Sequence, residues 1–173
     1  MADLRALLRS GEQRWRIGMI NGPNMANLEK RDRLRFGGAG SISDLEGRVR
    51  DIADALGAEL VKSCVSNHEG DILDWLQTQT DDLDGLLVNP AGLTWSGLAT
   101  CHAIYDTGLP VVEIHFAKPN WHGGSSVFTD WVVGTCQGLR KHSYAAGLVA
   151  LIGMLDDGDF QKPALYDQRM SRG

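Results

Sequence analysis

The sequence predicts an α/β chain built as a doubly wound parallel sheet, and three observations carry that reading. Short apolar runs over residues 15–20, 59–65, 86–88 and 111–115 alternate with stretches of helical periodicity, about 30 residues per unit. Most of these runs stop at a polar, turn-forming stretch: Asn21-Gly22-Pro23-Asn24, Ser66-Asn67-His68-Glu69-Gly70 and Asn89-Pro90-Ala91-Gly92. The length, 173 residues, suits one domain better than two.

Taken in order, residues 1–14 read as an N-terminal extension with a weak helical signal. Residues 15–20 form the first strand. Residues 21–41 are a loop that holds the charged run Glu29-Lys30-Arg31-Asp32-Arg33 and the glycine-rich stretch Gly37-Gly38-Ala39-Gly40. Ser43 with Glu46 three residues on predicts a capping box. Leu45, Val49, Ile52 and Leu56 then follow at helical spacing until Gly57. A strand over 59–65, a helix over 71–79, a buried strand over 86–88 and a helix over about 96–106 continue the pattern. The strand 111–115 comes next, then an irregular loop over 118–126, a fifth strand within 131–136 and a last helix over 140–155. Residues 15–155 thus form the single domain, and 156–173 a polar tail.

Composition narrows the function. The net charge of −5 argues against nucleic acid or an anionic membrane as the main partner. No apolar run approaches membrane-spanning length, and the basic start lacks the apolar core of an export signal, so a cytoplasmic chain is expected. Cys64, Cys101 and Cys136 form no Cys-x-x-Cys pair, and the five histidines are scattered. No metal site is expected, and the cysteines read as buried free thiols.

In a doubly wound sheet ligands bind beyond the carboxyl ends of the strands. Asn21, Asn24, Asn67, His68, Glu69, Asn89 and His115 all fall there. Glu113 and His115, two apart on one strand, share a face, and a carboxylate beside an imidazole can hold it as a general acid. The plain alternative is a hydrogen bond that serves the sheet alone. Asn89 at a strand end can hold a water on a developing oxyanion, or simply make an Asn-Pro turn. Gly37-Gly38-Ala39-Gly40-Ser41 lacks a P-loop lysine and the dinucleotide spacing, so it reads as the hinge of a lid. No Gly-x-Ser-x-Gly elbow supports serine-hydrolase chemistry.

Four of these motifs together resemble the type II 3-dehydroquinate dehydratase family: Ile20-Asn21-Gly22-Pro23-Asn24, Ser66-Asn67-His68-Glu69-Gly70, Val88-Asn89-Pro90-Ala91-Gly92-Leu93-Thr94 and Val112-Glu113-Ile114-His115. The resemblance covers residues 16–115 well and the stretch after His115 loosely, and residues 1–14 and 156–173 fall outside it. It implies a flavodoxin-like, three-layer α/β/α fold, a homo-oligomer built from trimers up to a dodecamer, and a cofactor-independent dehydration of a small molecule through an enolate. It also implies roles. Arg31 lies beside the proton-abstracting position, Asn24 and Asn89 take the asparagine roles, and Glu113 orients His115, which protonates the departing hydroxyl.

The same resemblance exposes departures. The position of the tyrosine base holds Phe36, a substrate-binding histidine is replaced by Trp95, and His102 stands where an aspartate reaches a neighbouring subunit's site. The pair whose backbone binds the substrate carboxylate reads Ala117-Lys118, and the arginine that helps close the site has no match near His122-Gly123-Gly124-Ser125-Ser126. The expected substrate-facing set is Phe36, Ala91, Trp95, His102, Phe116, Ala117 and His122. With Trp121 nearby, it favours a flatter, more apolar molecule than a polyhydroxy acid. Packing is the ordinary alternative for the aromatics. Candidate replacement bases are His102 and His122, then Glu29 and Tyr105. Three readings stay open: a lyase on an altered substrate, a hydrolase or isomerase on the same scaffold, and a non-catalytic binding or assembly protein.

Overall fold

The computed structural model of the protein describes residues 3–38, 40–119 and 124–158. A five-stranded parallel sheet runs through their centre. Its strands are β1 (Arg16–Asn21), β2 (Glu59–Val65), β3 (Gly85–Asn89), β4 (Val111–His115) and β5 (Gly134–Gln137). Their order is β2-β1-β3-β4-β5, so the winding of the chain across the sheet reverses between β1 and β3. The helices are α1 (Leu4–Leu8), α2 (Arg33–Phe36), α3 (Ile42–Ala55), α4 (Glu69–Thr78), α5 (Leu98–Thr107) and α6 (His142–Asp157). α3 and α6 cover one face of the sheet and α4 and α5 the other. This is the expected flavodoxin-like, three-layer α/β/α arrangement.

The apolar pattern accounts for the layers. Leu86, Leu87 and Val88 are buried together because β3 is central and covered on both faces, which removes the alternation of a one-sided strand. α3 buries Leu45, Val49 and Ala53 at four-residue intervals, and α6 buries Tyr144, Leu148, Leu151 and Ile152. A Cβ on Gly147 would lie 2.3 Å from Ile114 Cδ1, so the missing side chain lets α6 press onto β4. On the opposite face Ile72 and Leu76 meet Cys101 and Ile104. Burying each large chain contributes about 1.5–3 kcal/mol.

The structure departs from the expected elements in four places. The 21–41 segment is not plain loop. It contains 3-10 turns over Met25–Lys30, kinked at Asn27, and then α2. The cap of α3 is Ser41, not Ser43. Ser41 Oγ accepts from Asp44 N at 3.1 Å, and the Asp44 carboxylate accepts from Ser41 N at 2.8 Å. Two Ser-x-x-acid frames lie two residues apart, and the earlier one starts the helix sooner, so more backbone groups pair. The backbone bond from Ser41, with its hydroxyl, lowers the Asp44 pKa. β5 begins at Gly134 because Thr129–Trp131 is a 3-10 turn, and α6 runs on to Asp157.

The N-terminal segment is fastened to the end of α6. Arg9 donates from Nε and Nη2 to the Asp156 carboxylate at 2.8 and 2.6 Å, and from Nη1 to the Leu56 carbonyl at 2.9 Å. Trp15 Nε1 donates to the same carboxylate at 2.7 Å. The two charged side chains are 2% and 1% exposed. The hydrogen bonds from Arg9, helped by Trp15, hold the Asp156 carboxyl far below the usual carboxylate range. Cys64, Cys101 and Cys136 are all free thiols, and burial, with Glu113 and Glu69 nearby, pushes Cys101 up to about 12. No helix among the described residues is long and apolar enough to cross a membrane.

Candidate active site

The carboxyl ends of β1, β3 and β4 converge on a cavity of about 290 Å³. Its wall includes Asn24, Arg31, Asn89, Ala91, Trp95, His115, Phe116, Ala117 and Lys118. Eight of these residues were expected from the sequence as catalytic or substrate-facing, and they meet although they span positions 24 to 117. Lys118 joins them as a second cation beside Arg31, and no aspartate or glutamate lines the cavity among the described residues.

Glu113 lies directly behind the wall. Its Oε1 is 2.6 Å from His115 Nε2, and the carboxylate is fully enclosed. Its Oε2 accepts from the hydroxyls of Thr129 and Thr135, each at 3.3 Å. These bonds fix the carboxylate, and the carboxylate fixes the imidazole. With Nε2 so engaged, Nδ1 is the ring atom left to exchange a proton with a bound molecule. His115 also borders a second, hydroxyl-lined cavity that includes Ser126, Thr129 and Thr135.

The loop after β1 is shaped by Gly22 and Asn24. Gly22 N donates to the Asn89 carbonyl at 2.9 Å, and a Cβ there would sit 2.3 Å from the Pro90 carbonyl oxygen. Only glycine allows that approach. Asn24 takes the left-handed conformation, φ 75°, and its N–H donates to Asn67 Oδ1 at 2.8 Å. That bond is the role the structure gives Asn67. Glu69 accepts from the Thr100 hydroxyl at 2.8 Å, which ties α4 to α5 away from the cavity. Ala91 is also left-handed, φ 49°, a strained conformation for alanine in the cavity wall.

Beneath the cavity lies a group that the sequence reading missed. Tyr144 on α6 is buried, accepts from Asn89 Nδ2 at 2.7 Å and donates to Asn21 Oδ1. Burial raises the pKa of its hydroxyl well above the usual tyrosine value, so it stays neutral. Asn89 Oδ1 accepts from the Ala91 N–H at 3.1 Å. A tyrosine inside the apolar pattern of α6 was the available signal, since a buried hydroxyl must find partners.

Other expected residues lie elsewhere. His102 is exposed on α5, with its ring 5.0 Å from Trp131, and within one chain it is not part of the cavity wall. Tyr105 meets Trp131 edge-on at 6.0 Å, and Glu29 is exposed outside the wall. The backbone of Phe36 ends α2, but its side chain lies outside what is described. Trp121 and His122 fall outside the described residues. No group of three or more His, Cys, Asp or Glu side chains able to hold a metal ion occurs among the described residues.

The family model for "Dehydroquinase class II" matches residues 15–152. A catabolic 3-dehydroquinase 1 of Aspergillus fumigatus is 33% identical over 132 residues, covering 74% of this chain and 86% of that protein. A 3-dehydroquinate dehydratase of Gloeobacter violaceus is 34% identical over 140 residues, covering 79% of this chain and 86% of that protein. The crystal structure of a type II dehydroquinase from Butyrivibrio crossotus superposes with a TM-score of 0.74 at 24% identity, over 80% of this chain and 97% of that one, which shows a shared fold. By these matches the chain belongs to the class II dehydroquinase family.

Proposed function

We propose that the protein is a cofactor-free carbon–oxygen lyase that removes water from a small hydroxy-ketone carboxylate, and that its preferred substrate is flatter and more apolar than 3-dehydroquinate. The observation that carries the reading is the His115 imidazole, held by a buried Glu113 and facing a cavity with Arg31, Lys118 and Asn89 in its wall. Arg31 and Lys118 suit the substrate carboxylate. The C–H proton beside the ketone leaves to a base, and the ketone becomes an enolate. The C–O bond then breaks, and the departing hydroxyl takes a proton from His115 and leaves as water. Asn89 supports the enolate stage through a bound water.

Two features support the altered substrate, one in the wall and one in the sequence. Trp95 is 39% exposed there, and Phe36 occupies the position where the family places its tyrosine base. No tyrosine lines the cavity among the described residues, because Tyr105 stands against Trp131 and the Tyr144 hydroxyl is enclosed between Asn21 and Asn89. The proposal includes a trimer-based homo-oligomer, as the resemblance implies, and a cytoplasmic location.

The test is turnover of 3-dehydroquinate by the purified protein, followed by enone absorbance, beside His115→Ala. Slow turnover, below about 1 per second, that His115→Ala abolishes is expected. A rate in the ordinary enzyme range would refute the altered substrate. Turnover that survives His115→Ala would refute the acid. No turnover of dehydroquinate or of any planar hydroxy-ketone carboxylate would refute the lyase reading.

A further inference from the structure

Hydrogen-bond direction under the cavity is fixed by one backbone group. The Ala91 N–H can only donate, so the Asn89 side-chain atom 3.1 Å from it must be the carbonyl oxygen. The Asn89 NH2 therefore faces the Tyr144 hydroxyl at 2.7 Å and the Met25 sulfur at 3.3 Å. The hydroxyl must accept, which leaves its own proton for Asn21 Oδ1. Asn21 and Asn89 are opposite each other in the β1–β3 pairing, so two strands and α6 meet in one donor–acceptor chain. Once that chain is made, the second lone pair of Asn89 Oδ1 is the part of the amide with no partner among the described residues. Asn89 itself is part of the cavity wall.

We propose that Tyr144 is a positioning residue. The Ala91 N–H sets which end of the amide is oxygen, and Tyr144, by accepting from Asn89 Nδ2, holds the other end so that the amide keeps one angle and its free carbonyl lone pair serves the cavity, where it accepts from a water that donates its other hydrogen to the enolate. Without the hydroxyl only the Met25 sulfur, a weak acceptor, holds the NH2. The step that Tyr144 serves rests on the lyase reading above, whereas the orientation of Asn89 does not.

The experiment is Tyr144→Phe, which keeps the ring and its edge contact with Phe116, centroids 5.4 Å apart. With 3-dehydroquinate, kcat should fall about 10- to 100-fold, while KM changes by less than about twofold, because the water acts on charge that develops after binding. In an Asn89→Ala background, Tyr144→Phe should add nothing to the loss of kcat. An unchanged kcat, or the same further loss in both backgrounds, overturns the proposal, since a purely structural tyrosine gives those results.

A readout independent of turnover separates this from the lyase reading. In 15N-labelled protein the Asn89 side-chain NH2 signals, assigned with Asn89→Ala, should be protected from solvent exchange and lose that protection in Tyr144→Phe. If protection survives the substitution, the proposal fails whatever the substrate is. If the variant does not fold, wild-type protein still decides: Asn89 NH2 exchange as fast as that of an exposed amide refutes it, and protection supports it.

Discussion

Replacing Asp156 with alanine tests the fastening between the N-terminal segment and α6. The change leaves the Arg9 guanidinium buried, with Leu56 and Gln13 carbonyls but no counter-charge from Asp156. Breaking an ion pair this well buried costs about 3–5 kcal/mol. For a chain of this size that is roughly 6–20 °C in Tm. Substituting both partners together, Arg9→Met with Asp156→Leu, should restore most of the loss, because no unpaired charge then remains. The pH dependence has a definite sign. The folded Asp156 carboxyl lies below its unfolded value, so its contribution is complete above about pH 4 to 5 and is lost as pH falls through the lower folded value. Urea unfolding followed by circular dichroism should show a constant gap between wild type and variant from pH 7 to about 5, narrowing in stronger acid. A gap under about 1 kcal/mol at pH 7, or one that does not narrow in acid, would refute this account of the pair.

Two further substitutions probe the cavity. Gly22→Ala should lower stability by about 1–3 kcal/mol in thermal unfolding, because its Cβ would meet the Pro90 carbonyl oxygen at 2.3 Å, and a neutral outcome would contradict the observed loop approach. Lys118→Ala should raise KM for a carboxylate substrate about fivefold, roughly the 1 kcal/mol of a partly solvated charge pair, with kcat nearly kept, and an unchanged KM would remove Lys118 from the binding wall.

Much of this site is legible in the sequence. Strand ends announce themselves, because an apolar run that breaks into Asn-Gly-Pro-Asn or Asn-Pro-Ala-Gly has few other uses, and a parallel sheet brings such ends together. Glu113 and His115 could be paired from their two-residue spacing alone. The position of α3's cap was harder, since Ser41 and Ser43 both head a capping frame and the choice depends on how the chain enters from the preceding loop. Tyr144 was missed because its side chain reads as core in a helix pattern. Only the strand pairing that places Asn21 beside Asn89 reveals the two amides it joins. His102 could not be assigned from sequence either, because the resemblance places it at a contact between subunits, while the single chain sets it against Trp131.

The tyrosine under the cavity also bears on how the protein comes into being. Asn21, Asn89 and Tyr144 are added to the growing chain in that order, and the last of them belongs to the final helix described. At translation speeds of about 5–20 residues per second, a nascent chain spends several seconds with its cavity wall synthesised and its floor still missing. A half-made copy, or one truncated ahead of α6, therefore carries the recognisable motifs and an unsupported Asn89, so competence arrives late and with the whole fold.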